Sequence, residues 1–252
     1  MAILTQFLFR LSWGLALAMA WTPSGLVTAG FYRVHLYVLL GMHVVTTIVA
    51  ISNPQISLWP PLLAAVASYI GAVLWLYEKS RAGNVVLYLV AFLSLWGAVL
   101  SWPPAAPPRL SFPFFLAVGD IITSGLVLGS TIAAMLLGHW YLNTPTMQLT
   151  PLKRLVGLMA AALVVRLIFC GPGLLGRFLD TASSTVYAPL YFYALRWLFG
   201  FVGSLVLTAM TWATLKVPNT QSATGILYVA VIATFLGELT SLLLSLDAVY
   251  PV

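Results

Sequence analysis

The feature that most constrains this chain is a succession of apolar runs, each close to the length of a membrane crossing. They fall near residues 5–22, 34–51, 58–77, 84–101, 112–138, 152–169, 187–215 and 222–246. A helix crossing the ~30 Å hydrocarbon core of a bilayer needs about 20 mostly apolar residues. The runs are continuously apolar, whereas strands of a membrane barrel alternate over about ten residues. The expected fold is therefore all-α, a polytopic transmembrane bundle of about eight helices. Composition agrees: 62% of residues are hydrophobic and 6% charged, against roughly a quarter charged in soluble domains. Eight crossings leave roughly eleven residues per connection, so residues 1–252 read as a single integral membrane domain. The first run, with Arg10 before a stretch ending at Ala20, has some features of a secretory signal, but it reads as the first transmembrane helix.

Lone Cys170 excludes a disulfide framework or thiolate metal cluster within the chain. The formal charge of +6 comes from basic residues scattered singly over short connections, which argues for membrane orientation rather than nucleic-acid binding. Arg33, Lys79, Arg81, Lys153, Arg154 and Lys216 fall on one side; Arg109 and Arg177 fall on the other, and Arg10 opposes the bias weakly. The positive-inside rule then places both termini on the non-cytoplasmic side of a cell (inner or cytoplasmic) membrane. Trp21, Tyr32, Trp59, Tyr77, Trp140 and Tyr141 sit near run ends, as interfacial anchors do.

Charges inside the bilayer cost about 2.5–3.5 kcal/mol each at the centre on translocon-type scales, so they call for partners. Asp120, Arg166, Arg196 and Glu238 lie well inside helices five to eight. Counted from the non-cytoplasmic end at ~1.5 Å per residue, all four fall in the same half of the membrane. Neutrality favours a buried polar cluster, read either as a structural knot fixing helix register or as a proton-handling site at the edge of a quinone pocket.

Three histidines run inward from the cytoplasmic edge. His35 and His139 lie near the surface, and His43 lies about a third to halfway across. His35 and His139, at matching depth on different helices, fit the rule for axial ligands of a b-type haem. His43 and His139 are candidates for hydrogen bonds to a quinone headgroup, and His43 equally for a bond inside the bundle. Gly125 and Gly129 have the small-xxx-small spacing of close helix contacts, placing helix five at the centre or against a partner; Gly200 can serve likewise. The segments 138–145 and 217–222 are rich in neutral hydrogen-bonding residues, suited to docking or to helix capping by Asn219, Thr220 or Ser222.

No phosphate-cradling loop, Ser/His/Asp arrangement, zinc-protease motif or paired cysteine is present in the sequence, so covalent catalysis by the chain alone is not expected. Arg196-Trp197 early in helix seven and Phe235-Leu236-Gly237-Glu238-Leu239 late in helix eight resemble the membrane-anchor subunits of bacterial molybdoenzymes of the dimethyl-sulfoxide-reductase and polysulfide-reductase type. The resemblance covers about a quarter of the chain, with helices one to four unmatched. It implies a subunit that binds quinone or quinol and exchanges electrons with redox partners docked on it, without a catalytic metal of its own.

The leading expectation is a membrane subunit of an electron-transfer complex, respiratory or photosynthetic, that binds quinone or handles protons beside other subunits. A structural or assembly subunit is the alternative. A small-solute transporter is a further one.

Overall fold

The computed structural model describes residues 2–101, 112–144, 146–179, 190–217 and 219–245, without the side chains of 112, 113, 172–179 and 190. Arg109, Pro145, Pro218 and the side chain of Arg177 lie outside these residues. Eight helices are long and apolar enough to span a membrane. They are α1 Ala2–Trp21, α2 Ala29–Ser52, α3 Trp59–Leu76, α4 Ser80–Leu100, α5 Phe112–Asn143 and α6 Thr150–Leu179. The next, α7, is composite: Leu190–Ala194 and Ser204–Thr214 are α-helical and flank a π-helical segment, Leu195–Gly203. The last, α8, is Thr220–Leu244. The chain is an all-α polytopic bundle.

Several boundaries differ from the apolar runs. The second helix starts at Ala29 rather than 34, and α5 runs on to Asn143, so His139, Trp140 and Tyr141 form its last turns rather than a loop. Helix α6 continues through Gly171-Pro172-Gly173 to Leu179. Polar and aromatic residues at these ends dilute hydropathy, yet their backbone is still satisfied best by helix.

Helices α1 to α4 form one group, with α2 on α3, α3 on α4 and α4 on α1. In the second group α5 packs on α6 and α8, and α8 packs on α7. The groups meet chiefly where α1 lies along α5. That seam is possible because Gly14 faces Gly125 and Gly129: a Cβ at any of them would overlap the backbone or the Trp13 indole opposite. Lipid supplies no hydrophobic drive between helices, so such close packing is what holds the two groups together. These two helices are accordingly the most enclosed, with 72% of the α1 window and 78% of the α5 window buried. Gly125 and Gly129 thus mark a centre inside this chain.

The aromatic anchors divide into two sets. Trp21, Trp59 and Tyr77 are exposed at helix ends, as anchors should be. Tyr32 and Tyr141, read from sequence as anchors too, are instead buried. The Tyr32 ring stacks on Trp75 at 4.0 Å and its hydroxyl donates to the Thr22 carbonyl at 3.0 Å. Tyr141 donates to the Gln148 carbonyl, closing the α5–α6 connection. An aromatic with a hydroxyl can pin a loop from within as well as float at an interface. Glu78, in the left-handed region at φ 56°, turns the chain from α3 to α4. Asn219 accepts a bond from the Ser222 amide at 3.0 Å and caps α8.

Overpacking the seam tests this account. Gly125→Val is expected to lower unfolding stability in detergent by about 1–3 kcal/mol. Gly157→Ala, with open space around the added carbon, should stay within about 0.5 kcal/mol. Equal effects in thermal unfolding would contradict the seam.

Candidate functional site

Asp120, Arg166, Arg196 and Glu238 come together as one array, and a fifth residue, Arg10, joins them. Arg10 on α1 donates through Nη1 to Asp120 Oδ2 at 2.7 Å. Arg166 on α6 binds the other Asp120 oxygen. It then grips Glu238 on α8 with two donors, Nη2 to Oε2 at 3.0 Å and Nε to Oε1 at 3.3 Å, the fork geometry that makes arginine–carboxylate pairs directional. Arg196 on α7 completes the array, Nη1 to Glu238 Oε1 at 2.7 Å. Bases and acids alternate across five helices, and every side chain is at most 3% exposed.

Neutral groups complete the shell. Ser124 donates to Glu238 Oε2 at 2.6 Å, and Thr123 accepts from Arg166 at 3.0 Å. Arg196 donates to Cys170 Sγ at 3.6 Å and lies 4.3 Å from the Phe201 ring centroid. At the far end the Arg10 Nε donates to Gln6 Oε1 at 3.4 Å, and Gln6 Nε2 donates to the Ala98 carbonyl of α4 at 2.8 Å. Burying five ions is tolerable only with this degree of pairing and hydrogen bonding.

The sequence reading placed Arg10 only in the loop-charge count. The missed signal is its position, about 12 Å inside a helix that starts at Ala2, in the same layer as Asp120, eight residues into α5 by the difference of 120 and 112.

Arg196 lies in the π-helical segment of α7. Arg196 meets Glu238, Gly200 lies against Gly237 and Ser204 meets Thr234 at 3.1 Å, contacts recurring every four residues along one line. The π-helical segment, Leu195–Gly203, spans this contact, and such segments are frequent at functional sites. The glycine pair lets α7 and α8 approach closely enough for the short ion pair. Both pieces of the sequence resemblance, Arg196-Trp197 and the stretch around Gly237-Glu238, thus lie in one contact.

The histidines are spread over three environments. His43 is fully buried, and its Nε2 bonds Ser94 Oγ of α4 at 2.8 Å. Because α2 starts at Ala29, His43 lies nine residues from its end at Ser52 and fourteen from its start. It is therefore nearer the end carrying the ion array, not in the basic half expected. Ser94 is one turn from Ala98, the carbonyl that holds Gln6, so His43 sits beside the last link of the network. His35 Nδ1 bonds the Phe31 carbonyl at 2.6 Å, within a cluster of Phe31 and Trp140 rings. His139 turns instead toward α8, its Nδ1 3.2 Å from the Tyr228 hydroxyl, and this pair is exposed. Trp140, not His139, takes the place against Phe31 and His35, and its Nε1 donates to Thr28 at 2.8 Å. His35 and His139 hold different partners, the Phe31 carbonyl and Tyr228, with Trp140 packed on His35. His43 and His139 lie toward opposite ends, so a single headgroup cannot touch both. Among the described residues no three His, Cys, Asp or Glu side chains gather as a metal site.

Comparison of the chain with protein-family models, with curated proteins and with solved structures finds no match.

Arg166 is the keystone, since it alone contacts both carboxylates among the described residues. Arg166→Gln should cost about 3–5 kcal/mol, the range for removing one partner from a buried ion pair. Arg10→Gln should cost clearly less, because Asp120 keeps Arg166. Unfolding of the purified variants in detergent measures both; equal losses would refute the hierarchy.

Proposed function

We propose that this chain is the membrane subunit of an electron-transfer complex, with its buried ion array handling protons and a quinone headgroup meeting the bundle at His139 and Tyr228. The carrying observation is the array itself: five ionised side chains, alternating in sign, cross the bundle and end one helical turn from the partner of His43. Helix register needs far less than this, since one pair fixes it. Titratable side chains gathered at membrane depth are the usual material of proton relays. His139 and Tyr228 suit a headgroup because both are exposed and both can hydrogen-bond a carbonyl or hydroxyl. The resemblance of α7 and α8 to molybdoenzyme anchor subunits points the same way. The basic connections are assigned to the cytoplasmic side, with other redox subunits as partners.

A structural or assembly role is the second reading, and one observation favours it. Each of the four oxygens of Asp120 and Glu238 already accepts a hydrogen bond, leaving the array closed as it stands.

Turnover of the intact complex with a quinol separates the readings. Proton handling requires Asp120→Asn and Glu238→Gln to cut turnover at least about tenfold, roughly 1.4 kcal/mol of barrier, in complexes that still assemble. Normal turnover in the complexes that survive, with poor assembly, would establish the structural role. His139→Ala and Tyr228→Phe should raise KM for quinol with kcat little changed; an unchanged KM removes the headgroup assignment alone.

A further inference from the structure

The surroundings of His35 fix which of its nitrogens carries hydrogen. Nδ1 lies 2.6 Å from the Phe31 carbonyl oxygen. A carbonyl only accepts, so Nδ1 is the protonated nitrogen and donates. In the neutral ring Nε2 is then a bare lone pair, able to accept a hydrogen bond and unable to give one. No described residue bonds this Nε2, although the ring is only 5% exposed. It is not one of the buried polar atoms shut in without a partner, so it borders open space. The ring is also held in place, with Phe31 at 4.4 Å and Trp140 at 6.2 Å between centroids. Turning it over would give up the short bond to Phe31.

His139 is near enough to His35 for the charge on one to influence the other. Yet no hydrogen bond or ring contact joins them among the described residues. They belong to different walls, His35 to α2 and the His139–Tyr228 pair to α5 and α8. A quinone or quinol carries its two oxygens at opposite ends of the ring. A headgroup held by one oxygen at His139 and Tyr228 therefore turns the other away from them and needs a partner on a second wall. The two walls differ in chemistry. A tyrosine hydroxyl donates or accepts, so it suits either redox form. His35 Nε2 only accepts. A quinol hydroxyl can donate to it, whereas a quinone carbonyl would bring a second lone pair against it in a buried corner, leaving both unsatisfied.

We propose that His35 Nε2 binds the second oxygen of the headgroup and makes this site selective for quinol over quinone. The inference rests on the quinone reading of His139 and Tyr228.

The test is binding of a decyl-substituted benzoquinol, and separately of its quinone, to the purified full chain in detergent. Titration calorimetry at a pH of about 8, above the ordinary histidine pKa of about 6.5, keeps the ring neutral. The parent chain should bind the quinol more tightly than the quinone. His35→Leu should weaken quinol binding about fivefold, the worth of an average net hydrogen bond, and leave quinone binding unchanged. His35→Gln, whose amide can turn either its carbonyl or its NH2 to the ligand, should keep quinol binding and gain quinone binding. Both variants leave the Phe31 carbonyl its helical bond, so their thermal unfolding should match the parent. His139→Ala should weaken both redox forms. Equal affinity of the parent for the two forms, or a His35→Leu effect on both or on neither, would overturn the proposal and leave the headgroup assignment standing. His139→Ala without effect on either form would remove the reading beneath it.

Discussion

An ion in a low-dielectric interior has to be matched by a counter-ion held at hydrogen-bond distance, and that requirement organises the bundle. Three guanidiniums and two carboxylates satisfy it together. No pair stands alone: Arg166 bridges both acids, and the outlying arginines each hold an acid from another helix. With Gln6 and the Ala98 carbonyl included, the network joins α4, α1, α5, α6, α8 and α7 in one layer. The small residues follow from it. Glycines at the α1–α5 seam and the Gly200–Gly237 contact bring backbones close enough for ion pairs of 2.7 Å to form on either side of Asp120 and Glu238.

The two ends of the bundle are held by different means. The layer near the α1 start is electrostatic and sealed. The basic end is fixed by rings and single hydroxyl bonds, including the Tyr32–Trp75 stack and the Trp140–Thr28 bond. Contacts of that second kind leave groups such as His139 open to a ligand, whereas ions stripped of their partners would not remain charged at all. Buried charge and exposed hydrogen-bonding side chains therefore lie at opposite ends.

The number of spans and the four deep charges were legible because hydropathy reports burial in lipid directly, and isolated Asp, Glu and Arg break it visibly. Arg10 was harder to place, because its depth depends on where α1 begins, and residues 2–4 add nearly a turn beyond the apolar run starting at 5. His43 moved from one half of the membrane to the other for the same reason: five residues at the start of α2 shift a depth by about 7.5 Å. The inward turn of Tyr32 and Tyr141 was not legible, since an amphipathic ring serves equally at an interface or as a pin. The π segment left no local signature either. It lies along the contact of α7 with α8, and hydropathy does not distinguish π from α turns.

Under the proton-handling reading, the closed state of the array sets which contact has to open. A carboxylate cannot take a proton while each of its oxygens is held by a guanidinium, so one arginine has to withdraw. Arg166 is held by both acids and by Thr123 and Ser241, and its departure would remove the bridge between them, leaving each acid a single arginine. Arg10 belongs to α1, which is locked into the glycine seam. Arg196 belongs to α7, whose membrane window is only 28% buried, and it stands on the π segment, where the helix already departs from its most stable form. Opening between Arg196 and Glu238 would also give up the contacts of Arg196 with Cys170 and Phe201, but it leaves Arg166 to hold the carboxylate in place. The least regular helix therefore carries the ion whose movement keeps the Arg166 bridge between the two acids intact.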